Sequence, residues 1–202
     1  MTSPRCLPRK RPAGRIRIIA GTWRSRLIEV LDRPDLRPTP NRVRETLFNW
    51  LGQDLTGAAC LDLYAGSGAL GFEAASRGAA SVVMVEADPA ALRVLEKNRL
   101  ALDARQVELV AANALSYLDR PHLEQRFDLV FLDPPFRQNV LAEILRKLPR
   151  CLARVALVYI EAPAPQPTQM PWTEMKRARA GEVHYQLLRW EGDDQSRISG
   201  NV

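Results

Sequence analysis

From residue 60 to residue 161, short apolar runs alternate with longer stretches of helical period, a rhythm that predicts parallel strands joined by crossover helices. The runs are CLDLY at 60–64, SVVMVE at 81–86, VELVAA from Val107, FDLVFL at 127–132 and VALVYIE from Val155. Helices are expected within AGSGALGFEAASRG, near Pro89 to Leu102, from about Ala114, and from about Asn139 to Cys151. After a proline-rich connection at 162–171, Trp172 to Ala180 and Glu182 to Trp190 flank Gly181 and read as an antiparallel pair completing the sheet.

The amino-terminal third has a different texture. In RIRIIAGTWRSRLIEV, alternation from Arg15 to Ile18, a turn at Gly21-Thr22 and a return from Trp23 to Val30 predict a β-hairpin studded with arginines. Thr39 is the expected N-cap of a helix with Pro40 at its first position and Gly52 as its stop. Val43, Leu47 and Trp50 or Leu51 form its apolar stripe, with Arg42, Glu45 and Asn49 on other faces. The expected organisation is a basic tail at 1–14, a hairpin and helix at 15–52, an α/β catalytic domain at 53–190 and a polar tail at 191–202.

Composition adds limits. A chain of 202 residues suits one domain of moderate size. No apolar run nears the roughly 20 residues needed to cross a bilayer, and the amino terminus has no apolar stretch of a secretory signal. Cys6, Cys60 and Cys151 are odd in number and far apart, which points to a reducing cytoplasm. His122 and His184 are the only histidines, so no histidine-based metal site is expected. The net charge of +6 is unevenly spread: residues 1–44 hold twelve Lys and Arg against three acidic residues, leaving the remainder net negative. Such polarity predicts a polyanion bound at the amino-terminal end, through Arg15, Arg17, Arg24 and Arg26 of the hairpin and Arg37, Arg42 and Arg44 around the first helical turn.

The chemistry converges on FDLVFLDPPF. Two prolines after a buried strand force a stiff, extended loop at the sheet's carboxyl edge, where open α/β sheets bind ligands. Asp133 and the Pro134 carbonyl can accept both hydrogens of an exocyclic base amine, freeing its lone pair for an electrophile, while Pro135 stiffens the loop and Phe136 stacks on the base. The plainer reading is a common Asp-Pro turn.

Gly66, Gly68 and Gly71 fit GxGxxG after a strand, and Glu86 ends the next strand twenty residues on, a frame for an adenosine-bearing cofactor. Asp62, at the end of the first strand beside that loop, would repel a pyrophosphate and suits the cationic end of S-adenosylmethionine. Its alternative role is to cap loop amides. Asn113 ends the third strand, where its amide can read adenine or cap the following helix.

Those segments together resemble the class I S-adenosylmethionine-dependent methyltransferases. RIIAGTWRSR, RPTPNRVRETLFNWL, LDLYAGSGALGFEAASRGA and VFLDPPF resemble, more narrowly, the RsmD-type 16S rRNA guanine-N2-methyltransferases, from about Arg15 to Trp190. The resemblance implies a Rossmann-like seven-stranded, mostly parallel sheet with one antiparallel strand and an N-terminal β-hairpin that contacts RNA. It implies a monomer acting on a guanine of 16S rRNA within the 30S subunit or its precursor. The implied cofactor residues are Asp62, Tyr64, Ala65, Gly66, Ser67, Gly68, Glu86, Ala87, Asn113 and Ala114, and the implied catalytic loop is Asp133, Pro134, Pro135 and Phe136. The rival readings are an adenine-N6 or cytosine-N4 amino-methyltransferase, an NAD-dependent oxidoreductase on the same glycine loop, and a catalytically silent RNA-binding assembly factor.

Overall fold

The computed structural model describes residues 14–31, 39–121, 125–135, 140–166 and 171–192. A two-stranded ribbon, β1 (Gly14–Arg17) and β2 (Leu27–Val30), precedes helix α1 (Asn41–Leu51). Alternating elements follow: β3 (Ala59–Asp62), α2 (Ala69–Ser76), β4 (Ser81–Glu86), α3 (Pro89–Leu102), β5 (Val107–Ala111), α4 (Ala114–Leu118) and β6 (Phe127–Leu132). Helix α5 (Leu141–Lys147) runs into a 3₁₀ turn (Leu148–Cys151), and β7 (Leu152–Ala162), β8 (Trp172–Ala180) and β9 (Val183–Glu191) complete the sheet.

The main sheet has seven strands in the order β5-β4-β3-β6-β7-β9-β8. Strands β3 to β7 pair in parallel, while β9 runs antiparallel to both of its neighbours. This is the expected mostly parallel sheet with one antiparallel strand. From β3 the chain builds outward through β4 and β5, then returns to the other side of β3 with β6. That reversal opens a crevice beyond the carboxyl ends of β3 and β6.

Both faces of the sheet are covered, which is why the strands read as continuous apolar runs. Cys60, Met84, Phe131 and Tyr159 face one layer with Phe72 of α2 and Leu95 of α3; Leu61, Val83, Val130 and Ile160 face the other with Tyr117 of α4 and Ile144 of α5. The ribbon and α1 join the first layer through Ile16, Ile18, Trp23, Ile28, Leu47 and Phe48.

Several local expectations need correction. The ribbon's return strand starts at Leu27 rather than Trp23, because residues 18–26 form a loop clamped to α2. Thr22 and Trp23 donate backbone hydrogen bonds to the carbonyl (2.7 Å) and hydroxyl (2.9 Å) of Ser76. Gly21 makes this possible: its φ is +80°, and a Cβ there would lie 1.8 Å from the Ser76 carbonyl oxygen. Helix α1 begins at Asn41 with Pro40 in the N-cap position, so Thr39 does not cap it. The expected helix from Asn139 starts at Leu141 in the described residues and tightens to 3₁₀ at Leu148. Phe136 and Arg37 lie outside the described residues, as do most of the two tails and part of the proline-rich connection.

Candidate active site

A cavity of about 690 Å³ opens at the carboxyl edge, lined by both glycine-loop and catalytic-loop residues. Asp62, Tyr64, Ala65, Gly66 and Ser67 border one part, and Asp133, Pro134 and Pro135 another. The register explains why they meet. Asp62 pairs with Phe131 across parallel strands, so the chain leaving β3 and the chain leaving β6 emerge side by side.

The glycine loop turns sharply because Gly68 takes a left-handed conformation (φ +77°) just before α2. Its backbone is held by two carboxylates. The Gly66 amide donates to Glu86 (2.8 Å), whose second oxygen accepts from the Asp88 amide (2.8 Å). The Gly71 amide donates to Asp62 (3.2 Å), and the Tyr64 amide bonds it as well. Asp62 is buried, and burial pushes its pKa up to about 7; the two amides oppose that rise and the Glu86 charge adds to it. Asp62 thus caps the loop and still presents a buried carboxylate to the cavity. Glu86 keeps unused acceptor positions, since each of its oxygens receives one amide. A concave backbone cradle with a buried anion at one end and a carboxylate behind it fits an adenosyl group carrying a cationic tail.

Asp133 sits one residue beyond β6. Burial raises its pKa well above the usual carboxylate range, and the charges of Glu161 and Asp62 raise it further. Glu161, on β7, also lines the cavity. Leu132 pairs with Ile160, so the same register carried one residue onward sets Asp133 beside Glu161. The Tyr159 hydroxyl donates to Glu161 Oε1 (2.9 Å), and the Thr39 hydroxyl donates to it too. Burial raises the Glu161 pKa against the pull of those two bonds.

Glu161 is the residue the sequence reading passed over. It ends an apolar run just as Asp62, Glu86 and Asp133 do, and that shared grammar was the available signal. Thr39 and the β8–β9 turn were also missed as cavity walls. The pairing of Ala162 with His184 brings Gly181 and Glu182 back beside the end of β7.

Other expected cofactor residues stand behind or beside the cavity: Gly68, Glu86, Ala87, Asn113 and Ala114 do not line it. Asn113 is exposed and accepts from the Leu115 amide (3.0 Å), capping α4. Among the arginines, Arg15, Arg17, Arg24, Arg26 and Arg42 are exposed. Arg44 is not available to RNA: it is fully buried, with Nη1 3.4 Å from Glu73 and Nη2 bonded to the Arg17 carbonyl (2.9 Å) and to Asn41 (2.7 Å). No helix among the described residues is long and apolar enough to cross a membrane.

Comparison with known proteins follows the same outline. The family described as "Conserved hypothetical protein 95" matches residues 16–189. The chain is 43% identical over 197 residues to ribosomal RNA small subunit methyltransferase D of Escherichia coli strain K12, covering 94% of this chain and 97% of that protein. It is 42% identical over 182 residues to the protein of the same name from Haemophilus influenzae, covering 87% and 94%. Among solved structures it is similar to the putative methyltransferase yhhF from Escherichia coli, with a TM-score of 0.81 at 43% identity, covering 89% of this chain and all of that one.

Proposed function

This chain belongs to the ribosomal RNA small subunit methyltransferase D family, and from that premise we propose that it methylates the exocyclic N2 of a guanine in 16S rRNA. The methyl donor is S-adenosylmethionine, and the substrate is the assembled or assembling 30S particle in the cytoplasm, met by the protein as a monomer. One observation carries this reading: the glycine-loop residues and the Asp133-Pro134-Pro135 loop line a single cavity, so a donor and an amine can meet in it. Two separate hollows would have left the chemistry without a path.

When bound, S-adenosylmethionine supplies an electrophilic methyl group on a sulfonium. Asp62 faces the cationic tail, the backbone of Gly66 to Gly68 lies against the donor, and Glu86 takes ribose hydroxyls with its spare acceptor positions. Ala87, Asn113 and Ala114, at the ends of β4 and β5, border the adenine. The target guanine is unstacked from the RNA and enters between Pro135 and Phe136. Asp133 and the Pro134 carbonyl accept the two amino hydrogens, which localises the N2 lone pair for in-line attack. The new N–C bond forms as the C–S bond breaks, and the surplus proton on N2 passes to Asp133, whose raised proton affinity suits that step.

The test is labelled methyl transfer to unmethylated 30S subunits and to free 16S rRNA, followed by identification of the modified nucleoside. N2-methylguanosine is expected; N6-methyladenosine or N4-methylcytosine would replace this reading with its nearest rival, and no transfer at all would favour a silent assembly factor. Asp133→Ala should reduce turnover about 100- to 1,000-fold while leaving cofactor affinity nearly unchanged. A loss of cofactor binding with chemistry spared would refute the role given to Asp133.

A further inference from the structure

The reading above explains how an amine is held but not why the amine should be guanine's, since adenine and cytosine also carry exocyclic NH₂ groups. The three bases differ at the adjoining ring nitrogen. Guanine presents a donor there, N1–H; adenine N1 and cytosine N3 present bare lone pairs. A site that chooses guanine therefore needs an acceptor next to the group that holds the amine.

Glu161 stands in that position. It lines the same cavity as Asp133 and lies beside it across the β6–β7 pair. The hydroxyls of Tyr159 and Thr39 both donate to it, which orients the carboxylate and favours its acceptor form. Those two bonds occupy about half of its four or so acceptor positions.

A purely structural role does not account for the charge. Glutamine at 161 would accept the same two hydroxyls without burying an anion, and it would not place like charges side by side with Asp133. Retaining a carboxylate here costs stability in the empty protein. A donor arriving from outside, in line with the amine, offsets that cost.

Resting on the guanine-N2 reading, we propose that Glu161 selects guanine by accepting the ring N1–H while Asp133 and Pro134 hold the neighbouring amino group. Adenine or cytosine in the same pose would set a ring lone pair against the Glu161 oxygen, leaving both acceptors unpaired in a buried site.

The experiment compares guanine with 2,6-diaminopurine at the target position of reconstituted 30S particles. The analogue keeps the 2-amino group but turns N1 into an acceptor. The wild-type protein should methylate guanine over the analogue by tenfold or more in kcat/KM, roughly the value of one good base contact. Glu161→Gln, whose amide can turn its NH₂ toward N1, should lower that ratio by about tenfold, with cofactor affinity unchanged. Tyr159→Phe, which keeps the carboxylate and loosens its anchor, should give a smaller fall and serves if Glu161→Gln does not fold. Wild-type formation of N2-methylguanosine with a ratio untouched by both variants would overturn the role of Glu161 and leave the proposed function standing. Absence of N2-methylguanosine from the wild-type reaction would overturn the proposed function itself.

Discussion

At the scale of single residues, the buried Asp62 carboxylate has a measurable signature. Its folded-state pKa of about 7 lies above the ordinary 3.8, so between about pH 4 and pH 7 the folded protein holds a proton that the unfolded chain releases. The sign follows: this group lowers stability as pH rises through that window. Asp62→Asn should remove the dependence and make the free protein more stable at pH 8, on the order of 2 kcal/mol, in denaturant titrations. The same ionisation should govern the cofactor. If the ionised carboxylate binds the cationic tail, affinity for S-adenosylmethionine by calorimetry should rise about tenfold from pH 6 to pH 8, and the asparagine variant should lose most of that rise. An affinity that ignores pH in the wild type would remove Asp62 from the cation contact. This residue was legible in the sequence because an acid ending an apolar run before a glycine loop has few other uses. Glu161 has the same form but no glycines or prolines after it, and only the β6–β7 register brings it beside Asp133.

Among elements, the decisive join is between the ribbon loop, α1 and α2, and it is ionic. Glu73 of α2 accepts from the amides of Ile19 (2.8 Å) and Ala20 (3.0 Å), and it pairs with Arg77 (2.9 Å) and Arg44 (3.4 Å). Glu73 and Arg44 have no exposed side-chain surface, and Arg77 has almost none. Removing one partner from such a cluster leaves buried charges uncompensated, which typically costs about 3–5 kcal/mol. Glu73→Ala should therefore lower the melting temperature by about 10 °C, read by calorimetry. A fall of only a degree or two would mean that the ribbon is held by its apolar side chains alone. The helical repeat already put Arg44 on the face of Val43, Leu47 and Phe48; its charge argued for water, and a glutamate 29 residues later reversed that argument. The strands of the main sheet needed no such long-range partner. Their two-sided burial writes itself into each run as unbroken apolar sequence, which is why element type and order were readable while the ribbon's docking was not.

For the whole molecule, the basic end is not a detachable arm. Ile16, Ile18, Trp23, Ile28 and Val30 are core residues, so deleting residues 1–30 would strip the first apolar layer along with the arginines. The RNA-binding reading has to be tested by charge instead. Arg15, Arg24 and Arg42 are exposed, and none belongs to the buried ion cluster. If these three contact phosphates, the combined Arg15→Ala, Arg24→Ala and Arg42→Ala variant should weaken binding to 16S rRNA. It should also flatten the dependence of log affinity on log salt by about two to three units, since each neutralised phosphate contributes about 0.7–0.9. The melting temperature and cofactor affinity should stay within error, because the substitutions lie outside the cavity and the core. Filter binding across a salt series supplies the measurement. Unchanged affinity and slope would assign the positive end to solubility and send the search for the RNA footprint to the cavity rim, where Gly181 and Glu182 of the β8–β9 turn stand opposite the catalytic loop.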